Sequence, residues 1–211
     1  MPDETAAVRR EILGVCRRLW ERGLIAGRDG NVSVRLPDGH ILVTPAGMPK
    51  QDCGDEDLVV LTLDGRRVGG AREASTEVAV HLRIYRDRPD VFAVVHAHPP
   101  VATGFALAGE TLPHNALPEI VLGLGPVALV HYETPGTAAL ANALEPHLSR
   151  HQAFLLANHG AVTVGPTLSV AYGRMESLEH TARIVLTARL LGRVNPLTPV
   201  QLEALLGARD R

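Results

Sequence analysis

Cysteine is nearly absent: Cys16 and Cys53 are the only two in 211 residues. Two thiols so spaced build neither a disulfide framework nor a cysteine zinc site. Aromatic residues make up 3% of the chain. That leaves little for stacking bases, and no basic cluster accompanies the net charge of −2, so no nucleic-acid partner is expected. No apolar run approaches the ~20 residues of a membrane helix, which argues against a membrane partner. The acidic, polar start from Met1 to Thr5 has no signal-peptide character, and a cytoplasmic setting is expected. Lysine is scarcer still. Among 21 basic residues Lys50 alone is a lysine, so Schiff-base chemistry has one side-chain candidate.

What remains is ordinary for a soluble globular protein, with 45% hydrophobic and 21% charged residues. A single domain over residues 1–211 is expected, long enough for a full core. Apolar residues at helical spacing predict helices over 4–22, from Ser75 to about Arg88, and over 99–108, 135–147, 168–191 and 199–206. Val32, Val34 and Leu36 alternate with polar residues, Pro37-Asp38-Gly39 turns, and 40–44 returns as the second arm of a hairpin. Further strands are expected at 58–63, 91–96, 127–130, 154–157 and 161–164. Hairpins first and strand–helix alternation later predict a largely antiparallel or mixed sheet covered by helices, not a doubly wound nucleotide fold.

The chemistry concentrates in three histidines and a glutamate. His96 and His98 end an apolar run, and a strand turns residues i and i+2 to one face. His159 stands at the mouth of another apolar strand, before Gly160. Three such ligands with no cysteine suit a divalent metal with an open position, which catalysis needs. The remaining histidines lack such a context; His114, His131, His147, His151 and His180 read as surface or packing residues. Glu77 follows Ser75 and Thr76 at a helix start. Alone it would complement the helix dipole. Beside two hydroxyls and free backbone N–H groups, it can ligate a metal at rest and act as a base beside a bound phosphate. The turns at Gly30-Asn31 and Thr44-Pro45-Ala46-Gly47 are weak signals singly, and with Ser75 and Thr76 they can form a phosphate cradle.

These motifs, Gly30-Asn31-Val32-Ser33, Thr44 to Gly47, Ser75-Thr76-Glu77, His96-Ala97-His98 and Asn158-His159-Gly160, occur in an order that resembles the class II aldolase and adducin-head family. The likeness covers nearly the whole chain. It implies a three-layer α/β/α fold with a mostly antiparallel central sheet, assembled as a homotetramer with sites between neighbouring subunits. It also implies that His96, His98 and His159 bind zinc, with manganese or cobalt as alternatives. Glu77 would be the fourth resting ligand and catalytic base, and Gly30, Asn31, Gly47, Ser75 and Thr76 would hold the substrate phosphate. The implied reaction is reversible cleavage of a phosphorylated ketose, such as L-fuculose 1-phosphate, to dihydroxyacetone phosphate and an aldehyde.

Three departures from the fuculose-phosphate members stand out. Ala46 replaces a threonine, Leu117 stands near the place of a tyrosine, and the tail from Gly207 to Arg211 holds no aromatic residue. Glu119, after Pro118, falls near an acid/base glutamate of the family's dehydratases. It also reads as a simple helix-start acid. A dehydratase or decarboxylase acting on a sugar or sugar-acid phosphate, with Glu119 as second acid/base, is therefore the alternative. Those dehydratases generally lack a carboxylate where Glu77 stands, which favours aldol chemistry. A non-catalytic domain like the adducin head is disfavoured because all three histidines and Glu77 are present.

Overall fold

A computed structural model describes residues 2–209. Met1 of the acidic start, and Asp210 and Arg211 of the aromatic-free tail, lie outside the described residues. In chain order the elements are α1 (Pro2–Glu21), β1 (Asn31–Arg35), β2 (Ile41–Val43), β3 (Val59–Leu61), β4 (Arg67–Gly69), α2 (Val78–Asp87), β5 (Ala93–Ala97) and α3 (Pro100–Leu107). There follow β6 (Val127–Val130), α4 (Ala138–Ala143), α5 (Glu145–Leu148), β7 (Ala153–Leu156), β8 (Gly160–Gly165), α6 (Leu168–Leu191) and α7 (Pro199–Arg209).

The eight strands form one sheet in the order β4-β3-β2-β1-β5-β8-β7-β6. Every pair is antiparallel except β6–β7. Helices α1, α3 and α6 bury Ile12, Phe105, Tyr172 and Met175 against one face, together with Val32, Val95 and Leu155 of the strands. On the other face α2 and α4 bury Ile84, Tyr85 and Leu140 against Val94, Phe154 and Val162. Alternating strand residues thus feed two separate cores, which makes the three layers. Among the described residues no helix is long and apolar enough to cross a membrane.

Two expectations needed correction. The helix expected over 135–147 is two short ones, because Pro146 has no N–H to give the preceding turn and sits instead in the first turn of α5. The strand expected at 58–63 is shorter and pairs with β4, which sequence reading passed over. Its only large apolar residue, Val68, is 54% exposed, so no burial pattern marked it.

The register places the site. Asn31 of β1 pairs with His96 of β5, and His96 pairs with Val162 of β8. The β7–β8 hairpin closes at Leu156 opposite Gly160, leaving His159 in the turn beside the end of β5.

Candidate active site

Three segments converge at the end of β5. The His96, His98 and His159 rings lie with centroids 4.8 to 5.0 Å apart. His96 Nδ1 is 2.9 Å from the Ala161 carbonyl. A carbonyl only accepts, so the proton sits on Nδ1 and Nε2 presents a lone pair. His98 Nε2 is 3.2 Å from His96 Nε2. On the far side of its ring, His98 Nδ1 faces Asp29 Oδ2 at 3.5 Å. Burial, reinforced by the neighbouring His96, lowers the His98 pKa to about 4 and keeps that ring neutral.

Local backbone geometry makes the convergence achievable. Asn158 turns the hairpin with φ 57, a left-handed conformation that asparagine tolerates better than most residues. A Cβ on Gly160 would stand 2.5 Å from His98 Cδ2 and 2.7 Å from the Ala97 carbonyl oxygen. Gly30 has φ +72, and a Cβ there would meet the His96 carbonyl oxygen at 2.8 Å. Both glycines therefore let backbone approach the metal-type cluster where any side chain would collide.

Glu77 caps α2 just before its first residue, with the Ser75–Thr76 turn ahead of it. Its Oε1 is 2.8 Å from His159 Nε2, and its Oε2 is 3.3 Å from His96 Nε2. Asn31 Nδ2 donates to Oε2 at 2.9 Å. Burial alone would raise the Glu77 pKa. The contact with His159 outweighs it and holds the carboxyl well below the usual carboxylate range.

The fit to a metal can be tested on these distances. Tetrahedral ligands about 2.05 Å from a zinc-like ion stand roughly 3.3 Å from one another. The His96–His98 and His96–Glu77 separations, 3.2 and 3.3 Å, match that edge. The three histidine ligand atoms lie within 4.8 Å of one another. Two imidazole nitrogens at 3.2 Å, one with its lone pair fixed toward the other, are a donor set that fits a cation.

The family description "Class II Aldolase and Adducin N-terminal domain" matches residues 10–186. The chain belongs to that family. It is similar to the 3-oxo-tetronate 4-phosphate decarboxylase of Escherichia coli strain K12, with 36% identity over 183 residues, 85% of this chain and 86% of that protein. It is 34% identical over 199 residues to the 5-deoxy-D-ribulose 1-phosphate aldolase of Bacillus thuringiensis serovar kurstaki, covering 93% and 92%. A solved L-fuculose 1-phosphate aldolase superposes with TM-score 0.88 at 30% identity, covering 97% of each chain. This class II aldolase homologue is thus an aldolase-type lyase with the metal-dependent family's fold, and its three-histidine group can bind a metal.

The remaining residues singled out from sequence fall around this centre. Pro45 bridges Ala74, and Ala46 N donates to the Glu73 carbonyl at 2.9 Å, so the Gly47 turn lies beside the Ser75 segment. Ser75 Oγ accepts from Glu77 N at 3.3 Å and from Asn31 Nδ2 at 3.4 Å. Thr76 is exposed and packs toward Gly136, whose Cβ position is 3.0 Å from Thr76 Oγ1. Glu119 is exposed at the cap of a π-helical turn, Ile120–Leu124. Among the described residues no hydrogen bond or ion pair joins it to the histidines.

Sequence reading missed two residues and the structural role of a third. Asp29 stands behind His98, and its only signal was its place in the Gly27–Asn31 turn. His81 is buried one turn beyond Glu77, a spacing that was legible. Lys50 is 3% exposed and donates to the carbonyls of Arg28 at 3.1 Å and Met48 at 2.8 Å. Its ammonium ties the two glycine turns together, and burial lowers its pKa.

Gly160→Ala should show how tightly the aldolase centre is packed. The added methyl must displace His98 or the Ala97 carbonyl, at a cost of about 1–3 kcal/mol. Metal affinity should fall roughly tenfold or more as His98 shifts. Thermal unfolding and chelator-competition titration read the two effects; wild-type values in both would show that the contact is soft.

Proposed function

We propose that this chain is a divalent-metal aldolase that reversibly cleaves a phosphorylated ketose, such as L-fuculose 1-phosphate, to dihydroxyacetone phosphate and an aldehyde. The observation that carries the reading is Glu77, an ionised carboxylate held by Asn31 against His96 and His159. His96, His98, His159 and, at rest, Glu77 would hold the metal. Zinc is the first choice, with manganese or cobalt as alternatives, and when bound it supplies Lewis-acid polarisation of a carbonyl oxygen.

The rest falls to the chain's own groups. In the synthetic direction Glu77 removes a proton from the hydroxymethyl carbon of dihydroxyacetone phosphate; in cleavage it returns one. Gly30, Asn31, Gly47, Ser75 and Thr76 would anchor the phosphate, and the Pro45–Ala74 bridge that sets two of these segments side by side supports that role. Assembly as a tetramer with sites between subunits belongs to the same proposal. Light scattering is expected to give four times the chain's mass.

The likeness to the decarboxylase favours a second reading. A 3-oxo-tetronate 4-phosphate that loses its carboxylate as carbon dioxide also leaves dihydroxyacetone phosphate. In both reactions the same carbon, next to the ketone, keeps the electron pair and needs a proton from Glu77. Only the departing fragment differs. Deuterium exchange into dihydroxyacetone phosphate tests the shared half, and its absence from metal-loaded protein sinks both readings. Condensation of dihydroxyacetone phosphate with lactaldehyde selects the aldolase. Carbon dioxide release from 3-oxo-tetronate 4-phosphate without condensation selects the decarboxylase.

A dehydratase would need a second acid/base, and Glu119 is the residue proposed for it. Its exposed position, unlinked to the histidines, predicts that Glu119→Gln changes turnover by less than about threefold. A loss of ~10²-fold or more with metal content intact, the size of a lost general acid, would assign Glu119 that role.

A further inference from the structure

One buried side chain joins the two glycine turns read as part of the phosphate site. The β1–β2 hairpin sets Val32 opposite Thr44. Thr44 N donates to the Val32 carbonyl at 3.0 Å, and Val32 N donates to Thr44 Oγ1 at 3.1 Å. Past that pair the chain leads to Gly30 on one side and to Gly47 on the other, each with φ +72. There Lys50 Nζ donates to the Arg28 carbonyl at 3.1 Å and to the Met48 carbonyl at 2.8 Å. Among the described residues no other hydrogen bond joins residues 26–31 to residues 45–50. The Ser75 segment is tied to each turn separately, through Asn31 Nδ2 at 3.4 Å and through Ala46 N donating to the Glu73 carbonyl. Lys50 therefore closes a ring of three segments, and Gly30, Asn31, Gly47, Ser75 and Thr76 all belong to it.

The charge matters as much as the tie. Lys50 is buried, its two acceptors are carbonyls, and among the described residues no carboxylate pairs with it. Asp29 and Glu77 attract it only at longer range, and both face histidines. Burial pushes the Cys16 thiol up to about 12 and the Cys53 thiol up to about 11, so neither offers a negative charge near neutral pH. An ammonium taken out of water without an anion is costly. A phosphate bound on the ring would offset that cost without touching Nζ, because charges act over longer distances in a poorly solvated interior.

We propose that Lys50 is a positioning residue of the phosphate site, holding the Gly30 and Gly47 turns at the spacing a phosphate monoester needs and supplying a buried positive charge close to it. This inference rests on the reading of those turns as the phosphate site. A buried amine held by two carbonyls is not placed to attack a ketone. The chain's only lysine thus serves anchoring and not Schiff-base chemistry.

Because Lys50 is the only lysine, protein labelled with carbon-13 lysine gives a single lysine side-chain signal. In metal-loaded wild type that signal is expected to shift with dihydroxyacetone phosphate and to stay in place with dihydroxyacetone, which lacks the phosphate. Lys50→Met then removes the charge and the donor while keeping an unbranched side chain. In deuterium exchange it is expected to raise KM for dihydroxyacetone phosphate about 10–100-fold, the range of a charge-assisted hydrogen bond. The exchange kcat and the metal content should stay within about threefold of wild type. Exchange into dihydroxyacetone should change far less. A lysine signal indifferent to the phosphate overturns the proposal, and so does an unchanged KM. Equal losses on both substrates overturn it too, by giving Lys50 a purely structural role. If Lys50→Met does not fold, the lysine signal in the wild type decides alone. A wild type that prefers the phosphorylated substrate, with the preference kept in Lys50→Met, removes Lys50 only; a wild type that exchanges both substrates equally removes the phosphate reading of the turns with it.

Discussion

Glu77→Gln is expected to cut deuterium incorporation into dihydroxyacetone phosphate by about 10²–10⁴-fold, the range for a lost general base. The substitution is close to isosteric, so the packing of the Ser75 turn against Asn31 should survive. What disappears is the basic oxygen. The carboxylate accepts from Asn31 and stands against His96 and His159, and the His159 contact keeps it ionised despite burial. An amide in its place cannot take a proton from carbon. The three histidines remain, so bound metal should be kept with a modest loss of affinity. Metal analysis alongside the exchange assay separates the outcomes. Undiminished exchange in a metal-replete variant would remove Glu77 from the chemistry.

Stripping the metal should abolish turnover and also lower the unfolding temperature. His96 and His98 hold ring nitrogens 3.2 Å apart in a site where one lone pair is fixed by the Ala161 carbonyl. Without a cation those lone pairs face each other. A ligand that binds only the folded state stabilises it in proportion to the logarithm of its saturation, about 4 kcal/mol at a thousand times Kd. Adding chelator to metal-loaded protein should shift the thermal transition downward, and restoring zinc should reverse it. An unchanged transition, together with no metal in protein purified without chelator, would sink the metal reading of the three histidines.

Much of this centre could be read from local pattern. His96 and His98 share a face because strand periodicity requires it, and the apolar run before them announced the strand. Helix α6 matches its expected span, 168–191, because a helical repeat of apolar residues is a local signal. β4 could not be read, since an exposed edge strand of three residues carries no burial pattern. Pro146 was visible in the sequence, and the expectation of one helix over 135–147 took no account of it.

His81 and Lys50 show where such reading ends. A lone histidine on a helix has the same local signature whether it meets solvent or a serine 48 positions earlier in the chain. Only the pairing of β1 with β5, and the packing of α2 beneath them, brings Ser33 to its Nδ1. The single lysine was conspicuous by composition, but its buried hold on the Arg28 and Met48 carbonyls depends on two turns meeting.

By itself the amino-acid sequence determined the periodic elements, the strand-end pair of histidines, the glycine turns and the acid after two hydroxyls, because each is set by neighbours a few residues apart. Only the tertiary structure decided that His159 meets His96 and His98, that Asn31 holds Glu77 between them, and that buried Ser33 meets His81. Those contacts cross 46 to 65 residues of chain. They exist because the sheet register brings distant backbones within hydrogen-bonding distance, a constraint that no local pattern encodes.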